Sequence, residues 1–254
     1  MKLHYKITGS GQPLIILHGL LGSLSNWRAI ADVLSEHAQV ITVDLRNHGQ
    51  SPHSAEQTYQ LMVDDLAELI TDLSLQSVDI IGHSIGGKVA MAFVDTFPEQ
   101  VRKLMVVDIA PRHYQSSHHK IFNALLGLDL PRFTTRKEAD IALAEKLPDK
   151  AVRQFLLMNL VISDQQLSWQ INLQAIADNY LHLLEAVCRN DKVLVPSCFI
   201  KGGQSDYIQQ KDEDEIRTIF NDVIIDTIED AGHWVHAESP KVFSKKAMSF
   251  FNYD

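Results

Sequence analysis

Apolar positions along this 254-residue chain follow two alternating rhythms. Short runs rich in valine and isoleucine stand at Leu14-Ile15-Ile16-Leu17, Val40-Ile41-Thr42-Val43, Val78-Asp79-Ile80-Ile81, Leu104-Met105-Val106-Val107, Cys198-Phe199-Ile200 and Val223-Ile224-Ile225-Asp226-Thr227-Ile228. Runs that are apolar on successive residues, without strict alternation, predict strands buried on both faces. Between them the spacing changes to that of helices, as at Met62, Leu66, Leu69, Ile70 and Leu73. Strand and amphipathic helix in alternation predict an α/β fold, a mostly parallel sheet covered by helices on both faces.

The alternation stops after Pro111. From about His113 to Asp191 the pattern reads as helical, over Ile121 to Leu126, Lys137 to Leu147, Ala151 to Leu160 and Leu173 to Val187, with breaks at Pro131 and Pro148. Strand signals resume at Val193-Leu194-Val195-Pro196. The expected organisation is therefore a core of residues 1–112 and 192–254, with an all-helical cap, residues 113–191, inserted between two late strands. Phe122, Leu125, Leu126, Phe155, Leu156, Met158 and Trp169 are candidate cap wall residues, although helical apolar side chains more often form their own element's core.

The most chemically pointed stretch is Gly82-His83-Ser84-Ile85-Gly86, which follows a β-branched strand and opens a helix. In that context Gly-x-Ser-x-Gly predicts a sharp turn that lifts the Ser84 hydroxyl above the sheet, with helix N–H groups beneath it. A serine hydroxyl needs a base, and the base needs an orienting acid. Twelve histidines are available. His233, in Asp230-Ala231-Gly232-His233, is singled out because it sits on a short loop after a predicted core strand near the C-terminus, whereas His236 reads as a helix-entry residue. Two aspartates end strands between them, Asp108 and Asp206, and the residues alone do not choose. Oxyanion donors are expected from the backbone N–H of Ile85 and, in His18-Gly19-Leu20-Leu21-Gly22, from that of Leu20. His18 is read as a loop tie, Asp44 and Arg46 as an internal ion pair, and Lys88 as a head-group contact or a solvated helix lysine.

Composition narrows the classes. A formal net charge of −9 argues against nucleic-acid binding, which needs clustered Lys and Arg. Two cysteines, Cys188 and Cys198, supply neither a disulfide framework nor a metal cluster, and Ser116-Ser117-His118-His119 lacks companion ligands, so no metal or cofactor is expected. The acidic run Lys211–Glu215 reads as a solvated helix start. Met1–Lys6 is too polar for a signal-peptide core and no apolar run is long enough for a membrane span, which leads to the expectation of a cytoplasmic protein without membrane insertion.

His18–Ser23, Arg46–Ser51, Gly82–Lys88, Asp108–Pro111, Gly202–Ser205 and Ala231–Ala237 together resemble, in order and spacing, the blocks of α/β-hydrolases, and specifically of YbfF-type bacterial esterases and their animal relatives. The resemblance covers almost the whole chain. It implies an α/β-hydrolase fold and a Ser84, His233, Asp triad, and it favours Asp108 through the Asp-Ile-Ala-Pro block, while the broader superfamily often takes its acid from the position of Asp206. The implied activity is hydrolysis of small to medium acyl esters through an acyl-enzyme, with a small-molecule ester or thioester as partner. Thioester, C–C bond, perhydrolytic and amide chemistry, or ligand binding without catalysis, are the competing expectations.

Overall fold

The computed structural model describes residues 1–163, 166–188 and 192–253. Its elements run β1 (Tyr5–Thr8), β2 (Pro13–Leu17), α1 (Arg28–Leu34), β3 (Gln39–Val43), α2 (Tyr59–Asp72), β4 (Val78–His83), α3 (Ile85–Thr96), β5 (Val101–Val107), α4 (His119–Leu126), α5 (Arg136–Leu143), α6 (Lys150–Leu157), β6 (Leu160–Ser163), β7 (Gln166–Trp169), α7 (Leu173–Asp178), β8 (Ser197–Gly202), α8 (Gln210–Ile219), β9 (Val223–Ile228), α9 (Val235–Glu238) and α10 (Pro240–Phe251). A seven-stranded sheet has the order β1-β3-β2-β4-β5-β8-β9. Only its edge strand β1 runs antiparallel, against β3.

The continuous apolar runs divide by residue parity. Ile15, Leu17, Ile80 and Val106 join the buried cluster beneath α2 and α3, while Leu14, Ile16, Ile81 and Val107 join the other, beneath α1 and α10. Each of these central strands thus buries both faces, which is why its sequence shows no polar side, whereas the edge strands β1 and β9 are partly exposed.

Register brings the strand ends into line. Leu17 lies opposite Gly82, His83 opposite Val107, and Val107 opposite Ile200. Residues just beyond these ends therefore emerge side by side at the carboxyl edge of the sheet, where ligands of open α/β sheets bind. Left-handed backbone gathers at the same edge: Leu21, Asn47, Ser84 and Asp108 have φ of 57°, 64°, 52° and 50°. None is glycine, and each such residue costs on the order of 1–3 kcal/mol that the surrounding fold must offset.

Between β5 and β8 the chain leaves the sheet. This segment is not all-helical as its sequence suggests: β6 and β7 pair antiparallel, from Leu160 opposite Trp169 to Ser163 opposite Gln166. The branched pair Val161-Ile162 favours extended backbone, and the pairing buries Leu160 and Leu167 while leaving Ile162 outward. Consequently the stretch expected to be helical up to Leu160 ends at Leu157, and that begun at Leu173 ends at Asp178, followed by a tight turn at His182–Leu184. The late strand also starts after Pro196 instead of at Val193, which makes a single bridge to Phe220. Asp191, the expected end of the segment, lies outside the described residues. Phe122, Leu125, Leu156, Leu160 and Leu167 belong to the same buried cluster as the α2/α3 face, so the segment shares the core of the sheet.

Candidate active site

Ser84 occupies the turn between β4 and α3 with φ 52° and ψ −122°. Its N–H donates to the Val107 carbonyl at 3.1 Å, and the Lys88 N–H closes the first helical turn on the Ser84 carbonyl at 3.1 Å. The glycines permit the turn. A Cβ on Gly82 would lie 2.3 Å from the Gly86 carbonyl oxygen, and one on Gly86 would lie 2.5 Å from that of His18. The Ile85 N–H falls in the first turn of α3, where helical N–H groups lack an intrahelical acceptor.

Asp108 follows β5, fully buried, and three donors converge on it. Gly202 N–H reaches Oδ1 at 3.0 Å, and Oδ2 accepts both the Ser205 hydroxyl and His233 Nδ1–H, the latter at 2.8 Å. That bond requires the proton on Nδ1 and leaves Nε2 of a neutral imidazole with its lone pair open. The His233 ring is further held by Tyr207, stacked at 3.8 Å between centroids and 16° between planes, and its carbonyl accepts His83 Nε2–H at 2.9 Å. Asp206 is exposed and lines a different wall; the carboxylate on His233 is that of Asp108. Ser205 closes the Gly202–Ser205 block without a role marked for it in the sequence, and Tyr207 carries no motif at all.

Four histidines around the site are buried and neutral. Burial lowers the imidazole of His18, pulls that of His83 well below its ordinary range, and brings His48 and His236 to about 3. His18 donates from Nδ1 to the Gly19 carbonyl at 2.8 Å and accepts the Leu45 N–H at 3.0 Å on Nε2. His236, on α9, stacks flat on Trp27 at 3.9 Å.

Other expectations are corrected. Arg46 pairs with Asp65 of α2, at 2.7 and 2.9 Å, and not with Asp44. Asp44 instead accepts from His4 and from the backbone N–H groups of Leu24 and Gln50, at 2.8, 2.7 and 2.9 Å. Lys88 is buried, not solvated: α3 points it at the base of the inserted segment, where its ammonium donates to the carbonyls of Arg112, Leu184 and Glu185 at 2.8, 3.3 and 2.5 Å. In the acidic run, Asp212 is buried on Arg112 at 2.8 Å instead of facing water.

Two cavities meet at Ser84, sharing Leu20, His118 and Tyr207. The narrower, about 250 Å³, is lined by His233, Trp27, Trp234, Val152, Phe155 and Leu156. The wider, about 630 Å³, is lined by Ile85, Ile109, Tyr114, Tyr180, Leu183 and Leu184. Of the candidate wall residues only Phe155 and Leu156 reach these cavities; Phe122 and Leu125 are buried, and Leu126 and Met158 are exposed. Among the described residues, no group of three or more His, Cys, Asp or Glu is placed to hold a metal ion, and no helix is long and apolar enough to cross a membrane.

A mostly parallel sheet with a strained serine at the end of β4 and a hydrogen-bonded Asp–His pair beyond the ends of β5 and β9 defines a hydrolase architecture, and comparison agrees. Residues 12–240 match the alpha/beta hydrolase fold family. Esterase YbfF of Escherichia coli is 33% identical over 247 residues, covering 96% of this chain and 94% of its own. The sn-1-specific diacylglycerol lipase ABHD11 of Danio rerio is 38% identical over 252 residues, covering 95% and 79%. A solved structure described as a marine microorganism esterase superposes with a TM-score of 0.96 at 43% identity, covering 98% of this chain and 99% of that one. The chain belongs to the α/β-hydrolase fold family, among the YbfF-type esterases.

Proposed function

We propose that this ester-bond hydrolase is a serine carboxylesterase in which Ser84, His233 and Asp108 act as the triad. The observation that carries the reading is the 2.8 Å bond from His233 Nδ1–H to buried Asp108, with Ser84 and His233 lining one cavity. His233 Nε2 takes the Ser84 proton as the oxygen attacks the ester carbonyl, and the N–H groups of Leu20 and Ile85 hold the oxyanion. His233 then returns the proton to the departing alcohol, and water repeats the sequence to release the acid. Asp206 takes no part.

The two cavities support a layout for the substrate. The leaving oxygen must stand next to His233 to receive its proton, so the alcohol occupies the narrow, aromatic-walled arm that His233 lines. The acyl group occupies the wider arm over Ile85 and Ile109. Residues 113–191 act as the cap: they supply Val152 and Phe155 to one arm and Tyr180, Leu183 and Leu184 to the other, excluding water from both. Hydrolysis of p-nitrophenyl esters of increasing acyl length by wild type and Ser84→Ala tests the reading. Turnover that extends to medium chains and vanishes in the mutant supports it; equal turnover by the mutant, or a folded wild type inert on the whole series, contradicts it.

A further inference from the structure

The inserted segment grips the loop that carries the first oxyanion donor. Gly22 N–H closes a tight turn on the Gly19 carbonyl at 3.0 Å, and within that turn Leu21 is left-handed, at φ 57°. A leucine does not hold this conformation without help. Both sides of Leu21 are tied by side chains. Its N–H donates to His48 Nε2 at 3.2 Å, while His48 Nδ1–H is fixed on the Arg46 carbonyl at 2.9 Å. Its carbonyl accepts from Asn159 Nδ2 at 2.7 Å. His48 belongs to the sheet edge, but Asn159 comes from the corner between α6 and β6, 138 residues further along the chain.

Asn159 is well placed as a rigid link. It is 5% exposed, its second amide hydrogen and its backbone N–H both go to the Leu156 carbonyl, at 3.1 and 3.2 Å, and its own carbonyl accepts the Gln170 N–H at 2.8 Å. It is thus fixed to the end of α6, the helix whose Val152, Phe155 and Leu156 wall the narrow arm, opposite Leu20 and Leu21. We propose that Asn159 is a positioning residue that sets the oxyanion loop: seating of α6 holds Leu21 left-handed and so aims the Leu20 N–H, and an alcohol group filling the narrow arm acts on the oxyanion hole through this one amide. This rests on the reading of Leu20 and Ile85 as the oxyanion donors.

The test compares wild type, Asn159→Ala, Asn159→Leu and Tyr59→Phe. Asn159→Leu keeps volume and burial while removing the donor, should the alanine variant not fold. Tyr59→Phe removes a different core-to-insert bond, Tyr59 hydroxyl to the Leu183 carbonyl at 2.7 Å, away from the loop. The readouts are kcat and KM on p-nitrophenyl butyrate and inhibition by an alkyl trifluoromethyl ketone, whose hemiketal with the Ser84 oxygen places an oxyanion in the hole. The Asn159 variants are expected to lose kcat about tenfold or more with KM within about twofold, and to lose trifluoromethyl ketone affinity by a matching factor, as removal of transition-state binding requires. Tyr59→Phe is expected to match wild type within about twofold on both. A loss confined to KM, unchanged inhibitor affinity, or an equal loss in Tyr59→Phe overturns the proposal. A wild type that neither hydrolyses the ester nor labels with a fluorophosphonate overturns the esterase reading itself, and this inference with it.

Discussion

At the residue scale the site is a set of strained backbones at strand ends, each pinned by a few hydrogen bonds. Ser84 and Asp108 share the same unusual φ because both must turn their side chains back over the sheet edge immediately after a strand. The Gly-x-Ser-x-Gly spacing announces the first; the second is favoured only by the resemblance of its Asp-Ile-Ala-Pro block, the residues by themselves leaving Asp108 and Asp206 open, and the fold brings Asp108 to His233. Asp108→Asn is therefore expected to lower kcat by about 10⁴, as loss of the tautomer-fixing acid does in such triads, with Asp206→Asn within a few-fold of wild type. Steady-state kinetics of the two variants decides, and the reverse ranking moves the acid. Gly86→Ala is expected to destabilise the protein by about 1–3 kcal/mol or more, measured by urea unfolding, because its methyl has only the His18 and Leu17 carbonyls to meet, at 2.5 and 2.6 Å. The Arg46–Asp65 pair illustrates the opposite limit, since Asp65 is one of several acidic residues along α2 and its partner is set by how that helix lies on the loop.

At the scale of elements, the sheet and its flanking helices were legible because burial on both faces writes itself into unbroken valine and isoleucine runs. The segment between β5 and β8 was less so. Its hairpin is short, one face of β6 is open, and Leu160-Val161-Ile162 looks like the tail of the helix that precedes it. Placement of α6 beside the serine is likewise a product of packing, with Leu156 entering the common core while Phe155 turns to the cavity. This geometry yields a prediction for selectivity. Val152→Trp fills the alcohol arm, so kcat/KM for bulky-alcohol esters is expected to fall about tenfold or more while methyl and ethyl esters of the same acid change little. A uniform drop across alcohols, or a drop that follows acyl length instead, contradicts the assignment of the two arms.

Across the whole molecule, the site depends on buried imidazoles that stay neutral. His48 and His236 are held at about 3 by burial, against an ordinary value near 6.5. Between those limits the unfolded chain binds more protons than the folded one, so their stabilisation is complete above about pH 6.5 and is lost as pH falls toward 3. Unfolding free energy is expected to drop by about 1.4 kcal/mol per such histidine for each pH unit below ~6.5. Urea unfolding at pH 7.0 and 5.5 measures it, and a flat profile contradicts the buried neutral state. Position along the chain singles out His233 among the twelve histidines, but the burial that keeps His18, His48, His83 and His236 neutral is a product of packing at the sheet edge and has no signature in local spacing. The central claim is that one serine, activated by this architecture, forms the acyl-enzyme. Its most direct test is intact-mass and peptide analysis of the protein treated with a fluorophosphonate: a single adduct on Ser84, abolished in His233→Ala with the fold retained, is the predicted result, and an adduct elsewhere or no adduct on folded wild type contradicts the account.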